Sequence, residues 1–186
     1  MTAFSGALRL AAAVALILGA LGFAVFEAGA APKHRPAALE RWVTYQNARF
    51  GYSLYYPSAL FDAEPESVNG DGRVFLSRDG RAKIVVYGAH NADGMSPKEY
   101  RQMILTEFPD YREMDYNPIG KTWFVLSGYR GENVYYQKVI FSCNLEIVNA
   151  ISVTYPVSEK LFYDGLVETL EDHFKPGRGA DTPPRC

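Results

Sequence analysis

Cysteine, tryptophan and histidine are all scarce, at 2, 2 and 3 residues in a chain of 186. The histidines His34, His90 and His173 and the cysteines Cys143 and Cys186 are too few and too scattered for a zinc site built from His and Cys. No Gly-x-Ser-x-Gly elbow is present to expose a serine nucleophile. Neither Gly70-Asp71-Gly72 nor Gly128-Tyr129-Arg130-Gly131 opens a helix carrying the Lys and the Ser or Thr of a phosphate loop, so both are expected to be turns. An excess of one charge is missing as well. Nineteen Lys and Arg against 21 Asp and Glu leave a net charge of −2, which removes the basic footprint of a nucleic-acid-binding protein. No internal repeat is visible. What remains is a globular composition, 48% hydrophobic and 14% aromatic, which excludes a disordered or collagenous chain.

The hydrophobic residues are unevenly placed. Met1 to Arg9 carries one basic side chain, Leu10 to Val25 is an apolar run, and Ala28-Gly29-Ala30 offers small residues where a signal peptidase cuts. Residues 1–30 therefore read as a cleavable signal peptide, and the protein is expected to be exported, periplasmic or secreted. An uncleaved anchor helix is the alternative, and only then is the membrane a partner. Residues 31–38 (APKHRPAA) read as a linker. In an oxidising compartment an even cysteine count favours a Cys143–Cys186 disulfide, with a buried free Cys143 and an exposed terminal thiol as the alternative.

From Trp42 the pattern alternates with period two. Phe50, Tyr52, Leu54 and Tyr56 share a face, and with Trp42 to Tyr45 they predict an opening hairpin. Residues 62–72 (DAEPESVNGDG) predict a surface loop, and Arg78-Asp79-Gly80-Arg81 a hairpin turn between the strands 73–77 and 82–89. Ser96-Pro97-Lys98-Glu99 has the N-cap, the first-turn proline and the reciprocal Glu of a capping box, so a helix starts there and ends before Pro109, burying Tyr100, Met103, Ile104 and Leu105. Strands 111–116, 122–127, 134–142 and 147–155 follow as an antiparallel meander. Ser158 is expected to cap a second helix through His173, with Phe162, Leu166, Val167, Leu170 and Phe174 as its buried stripe. Residues 175–186, rich in Pro and Gly, are expected to pack as no regular element. The fold class is α+β, one domain over residues 39–174 with a single antiparallel sheet flanked by helices.

The succession Trp42-Val43-Thr44-Tyr45-Gln46-Asn47 and Phe50-Gly51-Tyr52-Ser53-Leu54-Tyr55-Tyr56-Pro57 resembles the opening of the PsbP-like α/β/α sandwich, the Ran-binding Mog/PsbP type. The later Asn69-Gly70-Asp71-Gly72-Arg73, Asp79-Gly80-Arg81-Ala82, Val86-Tyr87-Gly88, Ser127-Gly128 and Tyr155-Pro156 are similar to exported domains of unassigned function in alphaproteobacteria related to rhizobia. The match spans nearly the whole domain, through strand-end and turn residues whose order carries it. The resemblance implies architecture: members of the fold serve as binding or assembly modules and share no catalytic residues, so no functional residue is carried over.

Two kinds of candidate site follow from the residues themselves. Asp62, Glu64, Glu66 and Asp71 place four carboxylates in one loop that a hard cation such as Ca²⁺ could collect, although the spacing fits no EF-hand loop and a solvated turn needs no cofactor. With His90 this loop would be the centre of a cation-dependent hydrolase. The alternative uses the aromatics, 13 Tyr and 11 Phe, as a platform at a sheet end, with Trp123, Tyr129 and Arg130 near one turn. The expected function is then a non-enzymatic exported binding or assembly module whose partner is an envelope protein or a glycan.

Overall fold

The computed structural model describes residues 41–108, 111 and 113–178. The expected leader, linker and domain start before residue 41 lie outside the described residues, as does the tail beyond residue 178 with Cys186.

The alternating run after Trp42 forms β1 (Trp42–Gln46) and β2 (Ser53–Pro57), paired antiparallel from Trp42 opposite Pro57 to Gln46 opposite Ser53. Asn47 closes the turn: its Oδ1 accepts from the Phe50 amide at 2.7 Å, and its Nδ2 donates to the Gly70 carbonyl at 2.9 Å and to Glu66 at 3.0 Å. The hairpin is not part of the main sheet, which corrects the expectation of a single sheet. It forms a two-stranded sheet of its own beside a seven-stranded one.

The larger sheet comprises β3 (Phe61–Ala63), β4 (Gly72–Ser77), β5 (Lys83–His90), β6 (Glu113–Tyr116), β7 (Trp123–Arg130), β8 (Asn133–Ser142) and β9 (Ile147–Pro156), in the order β3-β4-β5-β9-β8-β7-β6 and antiparallel throughout. The predicted meander is β6 to β9. β3 lies where the sequence suggested loop, because Phe61 is buried and anchors the start of that segment. Helix α1 (Pro97–Glu107) carries the chain from β5 in mid-sheet to β6 at the far edge, and it begins with the expected capping box, Ser96 with Glu99. After a 3₁₀ turn at Val157–Glu159, helix α2 (Lys160–His173) closes the fold.

Period two places the sheet's apolar residues on both faces. Phe124, Leu126, Tyr135, Val139, Phe141, Val148 and Ala150 pack with Ile104 of α1 on one side. Phe75, Ile84, Val86, Ile151 and Val153 pack with Leu166, Val167 and Leu170 of α2 on the other. Seven strands at about 4.8 Å spacing span roughly 30 Å, while a helix is only about 10 Å wide, so one helix cannot cover a face. The hairpin covers the rest of the α2 side, delivering Tyr45, Tyr52, Leu54 and Tyr56 to that core. Phe50 packs against β5 where Gly88 leaves room, since a Cβ at Gly88 would stand 2.4 Å from the Phe50 ring. Joining the sheet edge would have left this second face bare.

Two local expectations are also corrected. The buried stripe of α2 includes Tyr163, which stacks on Tyr155 at 5.0 Å, whereas Phe162 is 37% exposed. Ser158 falls inside the 3₁₀ turn and Glu159 is the N-cap, so the stripe runs 163, 166, 167, 170 and Phe162 sits one step off it. The start of the C-terminal tail is docked. Lys175 exchanges backbone hydrogen bonds with Ser53 at 2.9 and 3.0 Å, and the buried Gly177 donates to Asn149 Oδ1 at 3.0 Å while its carbonyl accepts from Ser142 Oγ at 2.5 Å.

The turn from β4 to β5 carries a first prediction. The Asp79 carboxylate accepts from the Ser77 hydroxyl at 2.6 Å, the Arg81 amide at 3.0 Å and Arg81 Nε at 2.9 Å. These donors, the Ser77 hydroxyl foremost, hold its pKa down at about 2. A carboxyl depressed on folding stabilises the fold above its ordinary pKa of about 3.9, and that contribution is lost as pH falls through about 2. An NMR titration of the Asp79 side chain should give a midpoint near 2, and Ser77→Ala should raise it.

Candidate functional site

Where α2 passes over the β6–β7–β8 end of the sheet it leaves a groove of about 420 Å³. Its walls are tyrosines: Tyr116 from β6, Tyr129 from β7, Tyr136 from β8 and Tyr155 from β9. A register shift in β6 between Met114 and Tyr116 brings both Asp115 and Tyr116 to the groove, while Met114 packs on the α1 side. From α2 come Lys160, Asp164, Glu168 and Glu171, which follow one another at three and four residues along one side of the helix.

Tyr136, Tyr155, Lys160, Asp164 and Glu171 are already committed. Tyr155 donates to Asp164 Oδ1 at 2.8 Å and Lys160 donates to Asp164 Oδ2 at 2.6 Å. Tyr136 and Lys138 both donate to Glu171. Burial, with the adjoining carboxylates adding to it, pushes the Tyr136 and Tyr155 hydroxyls far above the ordinary phenol range, so both remain protonated donors. Asp164 holds the Lys160 ammonium above its usual value. Asp115 and Glu168 make no hydrogen bond or close ion pair among the described residues, although Asp115 is near enough to Lys160 to add to the rise in its pKa. The groove is thus aromatic in its walls and negative at its rim, and suits an apolar side chain with a cationic neighbour.

Of the residues expected to form a platform, the structure brings one to this groove. Trp123, Tyr129 and Arg130 all lie on β7, which does not turn at Gly128: the strand continues through Gly128 opposite Tyr135 and Arg130 opposite Asn133, and the turn is at Gly131, φ +56°. Trp123 and Tyr129 share a face but stand about 20 Å apart along the strand. Trp123 packs at the core's edge under Lys138, with the ammonium 5.8 Å from its ring. Arg130 points to the other face, 4.8 Å over the Tyr111 ring and 5.7 Å over that of Tyr135.

No protein-family model and no curated protein sequence matches the chain. Solved structures do. The cyanobacterial PsbP (CyanoP) of Synechocystis sp. PCC 6803 superposes with a TM-score of 0.54 at 13% identity, covering 73% of this chain and 92% of that one. The fold is PsbP- and Mog1-like. The Saccharomyces cerevisiae Ran-binding protein Mog1p gives a TM-score of 0.51 at 13% identity, covering 74% of this chain and 96% of that one. At such identity the likeness establishes architecture and transfers no residue.

In this PsbP- and Mog1-like domain the acidic loop is occupied with its own folding. Asp62 lies 3.8 Å from Arg78 Nε, Glu66 accepts from Tyr45 and Asn47, and Asp71 accepts from Ser67 at 2.7 Å and Asn69 at 2.6 Å. The backbone carbonyl of Glu64 accepts from Arg73 Nε at 2.6 Å. No cluster of three or more His, Cys, Asp or Glu placed to hold a metal ion occurs among the described residues. His90, at the end of β5, rests its ring 5.3 Å from that of Phe50 and is hydrogen bonded to none of the four carboxylates. His173 shares a 2.8 Å hydrogen bond with the Thr169 carbonyl one helical turn back, at the helix end where a cation is favoured. The sequence reading missed Asp115, Tyr116 and the polar side of α2. The signal for the latter was present as Lys160, Asp164, Glu168 and Glu171 at helical spacing beside the apolar stripe.

Proposed function

We propose that the protein is an exported, non-enzymatic binding or assembly module of the cell envelope, and that it docks a partner protein in the tyrosine-walled groove beneath α2. The observation that carries this reading is the pair of carboxylates, Asp115 and Glu168, that make no hydrogen bond at the rim of a ring-lined groove whose other charges are already paired. A basic segment bearing an apolar or aromatic side chain is the matching partner surface. The yeast protein of the same fold is described as Ran-binding, which supports a protein-binding role as precedent. Cross-linking and pull-down of the mature protein from an envelope fraction tests the proposal. Asp115→Lys combined with Glu168→Lys should lower recovery of the wild-type partner at least about tenfold. Recovery unchanged by the double reversal, or recovery of a neutral glycan alone, contradicts it.

Export itself is supported by the apolar leader ending in Ala28-Gly29-Ala30. The disulfide is supported by the path of the docked tail, since the Cys143 sulfur lies 3.2 Å from the Arg178 carbonyl oxygen, eight residues before Cys186. Intact mass spectrometry of the secreted protein is expected to show a chain starting at Ala31 and lacking the two hydrogens lost on forming a Cys143–Cys186 bond. A start at Met1, or alkylation of both thiols without reduction, refutes the corresponding half.

A further inference from the structure

On the opposite face of the sheet α1 is only 11 residues long, and between it and the strands lies a second cavity, of about 410 Å³. Tyr87 of β5 and Gln137 of β8 form its sheet side, with Tyr100, Met103 and Ile104 from α1 opposite, and Phe108 and Tyr111 at one end. The volume falls within the range of small-molecule sites. Gln137 is out of place as a core residue. It occupies the strand position between Tyr135 and Val139, on a face otherwise lined there by Phe124, Leu126 and Phe141, and it is 6% exposed. Its Oε1 is buried without a hydrogen-bond partner, while the Gln137 side chain also interacts with the Tyr87 hydroxyl on the cavity wall. A buried carbonyl oxygen left unsatisfied is costly and rare in folded proteins, and an apolar residue of the same size would fill the position without that penalty. A cavity beside it that could admit a donor gives the amide a use.

From this geometry we infer that the space between α1 and the sheet binds a small, uncharged, ring-bearing molecule that donates one N–H or O–H hydrogen bond to Gln137 Oε1. The phenolic rings of Tyr87 and Tyr100 and the thioether of Met103 supply an adaptable apolar wall for such a ring. Glu107 at the cavity's edge disfavours an anion, and the otherwise apolar and aromatic wall imposes a desolvation cost on a cation that sits deeper beside Gln137. The site faces away from the groove beneath α2, so its success or failure is independent of partner docking.

1-Methylindole keeps the indole rings and replaces the N–H donor with a methyl group, and Gln137→Leu separates loss of the hydrogen bond from the added size. In an NMR titration of the full mature protein, indole should give saturable shifts confined to Tyr87, Tyr100, Met103, Ile104 and Gln137, and should bind about tenfold tighter than 1-methylindole. Gln137→Leu removes the acceptor with little change in side-chain volume; circular dichroism should show the native fold, while the preference for indole disappears. Equal affinity for the two probes, or the absence of saturable shifts at millimolar indole, overturns the inference, as does a preference that survives in Gln137→Leu.

Discussion

Gly177→Ala is expected to destabilise the domain by about 3 kcal/mol, enough to lower Tm by about 10 °C. The added methyl would stand 1.9 Å from the Phe50 carbonyl oxygen, 2.3 Å from the Tyr52 nitrogen and 2.4 Å from the Gly51 carbonyl carbon. All three are backbone atoms, which unlike the end of a flexible side chain cannot swing away. Gly51 is itself fixed at φ +75° in a turn closed by Asn47. Relief therefore requires the tail to lift off, and that leaves the fully buried Asn149 without the Gly177 amide and carbonyl it now pairs with. Thermal unfolding gives the magnitude. Hydrogen exchange gives the mechanism, because the Ser53 amide, which donates to the Lys175 carbonyl, should lose protection first. An unchanged Tm would mean that the tail is not seated as described.

Asn47→Ala is expected to cost a similar amount, about 3 kcal/mol, through unsatisfied polar groups where Gly177→Ala acts through steric overlap. The Asn47 side chain is buried and connects three segments: its own turn through the Phe50 amide, the acidic loop through Glu66 and Gly70, and β1 through the Tyr45 hydroxyl at 3.2 Å. Alanine strands the Phe50 amide and the Gly70 carbonyl and removes a donor from the Glu66 carboxylate. Denaturant unfolding should show a lower midpoint with an unchanged slope, the signature of lost native stability without a change in unfolded-state exposure. A loss below about 0.5 kcal/mol, the range of ordinary surface substitutions, would contradict the connecting role.

These two residues mark where the sequence is legible and where it stops. Features governed by short-range chemistry read correctly: the Ser96-Pro97-Glu99 cap, the Phe50-Tyr52-Leu54-Tyr56 face and the turn around Gly80 depend on neighbours a few positions away. The adjacent Tyr135 and Tyr136 divide between the two faces, as alternation requires. What did not read was set by long-range contact. Nothing local says that the opening hairpin packs on the sheet instead of pairing with its edge, because that follows from the width of a seven-stranded face against one helix. Gly128 has the composition of a turn, yet its cross-strand partner Tyr135 keeps it in β7. Gly177 in a Pro- and Gly-rich tail looks structureless until Phe50 and Asn149 are seen on either side of it. The groove was half visible, since the polar side of α2 is periodic, but Asp115 joins it only through the irregular register of β6.

Docking in the groove is open to site-resolved photo-cross-linking in cells that express the protein. A benzophenone amino acid replacing Tyr116, a 57%-exposed ring at the groove, is compared with the same group at Val68, fully exposed in the acidic loop away from it. A docked partner gives a discrete protein adduct from position 116 that position 68 does not give, and the adduct is lost when Asp115 and Glu168 are both changed to Lys. The same adducts from both positions, or an adduct at 116 that survives the charge reversal, would contradict it.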